Sequence, residues 1–74
     1  MSTTTRTTEQ IHKDIKRVIT TKIENPAPWF AELAALWREM AQAAEREDAP
    51  RWSRLAAALL AENYAQLARQ LSRS

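Results

Sequence analysis

His12 is the only histidine in this chain of 74 residues and the only side chain whose ordinary pKa lies near neutrality, so it is the first candidate for proton transfer. A general acid or base needs a partner within hydrogen-bond reach, and a zinc tetrahedron needs at least a third protein ligand. At helical spacing His12 has Glu9 three positions before it, with Thr8, Ile15 and Lys16 completing its surroundings. That supplies two ligands at most. Glu45, Glu47 and Asp48 crowd a polar stretch, where nothing drives their pKa values apart into an acid and a base. The chain has no cysteine for thiolate chemistry. It also lacks glycine, which phosphate-cradling loops and nucleophile elbows require. The expectation is a protein that is not an enzyme and holds no metal or cofactor.

The chemistry left is recognition. The formal net charge is only +2, yet it is unevenly distributed. Lys13, Lys16, Arg17 and Lys22 cluster before the first proline, an acidic stretch with Glu32, Glu39, Glu45, Glu47 and Asp48 follows, and Arg51, Arg54, Arg69 and Arg73 dominate the end. Lys13, Arg69 and Arg73 are candidate contacts to nucleic acid, although Asp14 and Glu24 dilute the first cluster. Trp29 and Phe30 are adjacent, so on a helix they point about 100° apart and cannot share one narrow core stripe. With Ile15, Lys16, Arg17, Val18, Ile19 and Lys22 they form the candidate surface for a protein partner.

These residues must be carried by helices, and the fold class expected is all-α. Residues 1–7 read as a disordered lead-in, because Ser2, Thr3, Thr4 and Thr5 offer nothing to bury, and residues 8–74 as a single small helical domain. Thr7 and Gln10 have the spacing of a capping box, after which Ile11, Ile15, Val18, Ile19 and Ile23 recur along one stripe. The spacing predicts a first helix, or a partly ordered arm, over about 8–24. The β-branched run from Arg17 to Ile23 leaves a strand open for its second half. Asn25, Pro26, Ala27 and Pro28 break the chain.

A second helix over about 28–47 follows from the stripe Trp29, Leu33, Leu36, Trp37, Met40 and Ala44, with Pro28 as its first residue. A third helix over about 50–71 follows from the wide apolar arc Trp52, Leu55, Ala56, Leu59, Leu60, Tyr64, Leu67 and Leu71, with Asp48 as its N-cap and Pro50 in its first turn. The short connection makes these two an antiparallel hairpin. Trp37, Trp52, Leu36 and Leu59 are expected on its inner faces, and the alanines of both helices allow close approach. No apolar run reaches the roughly 18–20 residues of a membrane span. The expected compartment is the cytoplasm, with no membrane contact.

In its size, basic N-terminal segment, absence of glycine and cysteine, and lack of a catalytic set, the chain resembles the small regulators encoded by lytic phages, of the Xanthomonas-phage type, that dock on host RNA polymerase. The likeness is one of whole-chain outline. It implies a host-cytoplasmic protein whose partner is a larger complex, bacterial RNA polymerase, bound near the RNA exit channel. It further implies interference with promoter recognition by the σ factor and elongation through terminators. Two alternatives fit the same composition: an anti-CRISPR or other antidefence inhibitor, and a small DNA-binding repressor or antitoxin acting as a homodimer.

Overall fold

The computed structural model describes residues 6–73, which form three helices: α1 (Thr8–Thr20), α2 (Pro26–Arg46) and α3 (Arg51–Arg73). The described chain is all-α, a helical hairpin of α2 and α3 with α1 laid against α2. Helix α2 is the spine. Helix α1 packs on α2, and a cleft lined by residues of both α1 and α3 lies beside that contact.

Helix α1 starts where the capping box places it. Gln10 N–H donates to Thr7 Oγ1 at 3.3 Å and Thr7 N–H donates to Gln10 Oε1 at 3.0 Å, satisfying two otherwise unpaired donors. The helix ends at Thr20, four residues before the expected boundary. Thr20 and Thr21 donate their hydroxyls to the carbonyl of Arg17 at 3.0 and 2.7 Å, competing with continuation of the helical ladder. No strand forms in the β-branched run. Of the expected lead-in 1–7, residues 1–5 lie outside the described residues, whereas Arg6 and Thr7 are held in place by hydrogen bonds to Glu39 and Gln10.

Helix α2 begins at Pro26 rather than Pro28, with Asn25 as N-cap. Both prolines are tolerated in this first turn because its N–H groups have no intrahelical acceptor. Its other end corrects the expectation for Asp48. That residue has φ of 58° and is not the N-cap of α3; it is the left-handed residue that terminates α2. Ala49 N–H donates to Ala44 O at 2.9 Å and Asp48 N–H to Glu45 O at 3.2 Å, the paired bonds of a Schellman motif. Glycine is the usual residue at such a position, and this chain has none. Asp48→Gly should therefore raise stability by about 0.5–1 kcal/mol, read as a higher denaturant midpoint with an unchanged slope.

The core lies mainly between α1 and α2. Ile11, Ile15 and Val18 pack with Leu33, Met40 and Ala43, and Ile11 and Leu33 are the largest side chains fully removed from solvent. Helix α3 contributes only alanines to the buried set: Ala57, Ala61 and Ala68. Small residues at i, i+4 and i+11 let α3 lie close along α2, and in doing so turn its large residues away. The inward placement of Trp52 and Leu59 is thus overturned, since they are 73% and 65% exposed. Trp37 and Leu36 are partly buried against the core, as their stripe requires.

Candidate partner-binding face

The polar clasp that seats α1 decides which of its residues remain available. Arg6 donates Nε to Glu39 Oε2 at 2.9 Å and also pairs with Asp14, while Arg46 donates to the Arg6 carbonyl at 3.2 Å. Glu47, though exposed, accepts from Thr8 N–H at 2.8 Å and from Thr8 Oγ1 at 2.9 Å. A carboxylate there complements the positive end of α1. The Arg6 hydrogen bond holds the Glu39 carboxyl below the usual carboxylate range, and the carboxylates in turn push the Arg6 guanidinium further up.

Because Glu39 is more acidic folded than unfolded, its contribution to stability is present above the unfolded pKa and disappears as pH falls through the depressed folded value. Arg6→Gln should lower the melting temperature at neutral pH, and its effect should shrink in acid as the pH falls through the depressed folded value of Glu39. Melts at neutral and acid pH measure the difference. An equal loss at both would mean that Arg6 acts through packing alone.

Helix α1 places Ile15 and Val18 inside, 2% and 5% exposed, so in the folded chain neither meets a partner. Lys16, Arg17, Ile19 and Lys22 are exposed, with Arg17 3.7 Å from Asp14. Trp29 and Phe30 are half-buried: their rings meet edge to face at 4.8 Å, Phe30 stacks with Tyr64 at 5.8 Å, and Trp29 Nε1 donates to Val18 O at 2.9 Å. They bind the three helices to one another. Lys13 lies on α1, while Arg69 and Arg73 flank the first turn of α2 beside Ala27 and Pro28, so these cations are not brought into one patch.

What the helices do assemble is an apolar face on α3 that the sequence reading had turned inward. Trp52, Leu55 and Leu59, at i, i+3 and i+7, are 73%, 53% and 65% exposed, and Leu67 and Leu71 continue the apolar surface further along the helix. Two clefts border it. One, of about 440 Å³, lies between α1 and α3 and is lined by His12, Trp37, Met40, Trp52 and Leu60. The other, of about 550 Å³, lies between α2 and α3 and is lined by Arg38, Glu45, Arg51, Arg54, Leu55 and Glu62. The signal for this face was present in the pattern: the apolar arc of α3 is wider than one helix neighbour can cover, and the alanines within it form a stripe of their own.

His12 thus borders an apolar cleft beside Glu9, and among the described residues no three His, Cys, Asp or Glu side chains converge to hold a metal ion. No helix among the described residues is long and apolar enough to cross a membrane. Comparison with protein-family models, with curated proteins and with solved structures finds no match.

Proposed function

We propose that this chain is a small protein-binding regulator, of the kind lytic phages direct at host RNA polymerase to alter initiation and termination. The observation that supports a binding role is the exposed Trp52, Leu55 and Leu59 surface on a domain whose core is complete without it. Exposed apolar side chains grouped along one helix cost solubility and are characteristic of recognition surfaces, with tryptophan prominent among binding anchors. The resemblance to polymerase-binding phage regulators names the first partner to try.

The test is titration of the labelled chain with purified bacterial RNA polymerase, beside transcription from a template carrying a σ-dependent promoter and a terminator. Saturable binding, reduced initiation and increased read-through are expected. The double variant Leu55→Ser, Leu59→Ser should weaken binding at least tenfold while its thermal melt stays within a few degrees of the parent, because both side chains are exposed. A chain that neither binds polymerase nor changes the transcripts refutes the polymerase reading.

A further inference from the structure

The exposed apolar seam of α3 is short and has a definite centre. Trp52, Leu55 and Leu59 recur at i, i+3 and i+7 opposite the buried alanines, and the next positions of the same seam, Glu62 and Gln66, are polar and exposed. The apolar part therefore ends within about two turns, and its middle lies between Leu55 and Leu59. Its rim carries both signs. The cleft toward α2 is lined by Arg38, Arg51 and Arg54 together with Glu45 and Glu62, so it selects neither an acidic nor a basic partner.

That mixture is ordered along the helix. Arg51 and Glu62 are about three turns apart and within about 20° of each other around α3, so both lie on the same side of the seam, one just beyond each end of its apolar part. Both are exposed, and among the described residues neither forms an ion pair. Arg51 also stands in the first turn of α3, the end where the helix dipole disfavours a lone cation.

Such a surface is complementary to its own image. A two-fold axis perpendicular to α3 between Leu55 and Leu59 reverses the helix direction while keeping each side of the seam on the same side. It sets Leu55 of each copy against Leu59 of the other, closes either end of the seam with a Trp52 ring, and brings Arg51 of each copy beside Glu62 of the other. Parallel pairing sets Arg51 beside Arg51 and Glu62 beside Glu62, and so stacks like charges. Nucleic acid leaves Trp52, Leu55 and Leu59 without apolar counterparts.

We propose that this face is covered by a second copy of the chain, the two α3 helices packed antiparallel about Leu55 and Leu59 and held in register by two Arg51–Glu62 pairs. Two helices touching over about three turns make an interface at the small end of the range for specific complexes, and the core between α1 and α2 is complete without it. The dimer is therefore an exchangeable one of folded monomers, with a dissociation constant in the micromolar range. It goes beyond the protein-binding reading above and uses the same face, so self-association and binding of a foreign protein exclude each other.

The test is sedimentation velocity of the full chain over a concentration series, first without any other macromolecule, so that its outcome is independent of the polymerase titration. The mass should rise from 8.5 kDa to twice that value as the concentration passes through the micromolar range. Leu55→Ser combined with Leu59→Ser should hold the chain at the monomer mass with its helicity retained, because both side chains are exposed. Arg51→Glu and Glu62→Arg should each weaken self-association at least tenfold, since each sets like charges together at both pairs. An equimolar mixture of those two variants should regain the parental affinity, because opposite charges then meet at both. A chain that stays monomeric up to about 1 mM overturns the proposal and leaves the face to a foreign protein, and a mass increase that requires added duplex DNA assigns the face to nucleic acid. Self-association that survives the double serine variant overturns the choice of face. Failure of the mixed variants to recover overturns the antiparallel pairing.

Discussion

Leu33→Ala should leave the chain largely unfolded at room temperature. Leu33 is fully removed from solvent at the centre of the cluster formed with Ile11, Ile15, Val18 and Met40. Truncation of such a side chain costs about 2–5 kcal/mol through lost burial and the cavity left behind. A domain of this size has a net stability of only about 3–5 kcal/mol. Leu59→Ala makes the same chemical change at a position 65% exposed, and its effect should stay within about 0.5 kcal/mol. Thermal melts by circular dichroism compare the two variants directly. Equal destabilisation would mean that α3 buries the face placed here in solvent.

The division between these two leucines marks how far the residue pattern alone could be read. Helix existence was legible because the stripes of α1 and α2 each have one period and clear boundaries: the Thr7 capping box before α1 and the paired prolines before α2. The inward face of α2 was legible for the same reason, since Leu33 and Met40 sit on a single narrow stripe. Helix α3 was different. Its apolar residues cover more than one face, and ranking them by size puts Trp52 and Leu59 inside, where they are not. Close approach of two helices favours the smallest side chains at the contact, so Ala57, Ala61 and Ala68 displaced the leucines from the interface. Asp48 was misassigned through an ambiguity of the same kind. An acidic residue between two helices can cap the second or terminate the first, and only its positive φ and the Ala49-to-Ala44 bond decide. The polar clasp around Arg6 was illegible for a further reason: its partners Asp14 and Glu39 lie on two different helices, and no local spacing links Arg6 to Glu39.

Ile15→Ser should unfold the whole domain, whereas Ile19→Ser should leave its melt unchanged. The two positions are one helical turn apart, yet Ile15 is 2% exposed and Ile19 is 51% exposed. Serine at position 15 leaves a cavity and places a hydroxyl among Ile11, Val18, Leu33 and Met40, a combined cost of about 3–5 kcal/mol. The damage spreads beyond α1 because of where the large buried side chains are. The fully buried side chains that α3 brings to α2 are alanines, each burying a single methyl group and joined by the half-buried Phe30–Tyr64 stack, while the isoleucines, Leu33 and Met40 lie where α1 meets α2. Apolar burial stabilises roughly in proportion to area, so a hairpin stripped of α1 would keep only the weaker part of the core. Heteronuclear NMR spectra of the two variants distinguish the outcomes. Collapsed dispersion throughout for Ile15→Ser, beside a parental spectrum for Ile19→Ser, is the result expected of a core helix. Retained dispersion across residues 26–73 in Ile15→Ser would instead make α1 a detachable arm and the α2–α3 hairpin a self-sufficient unit.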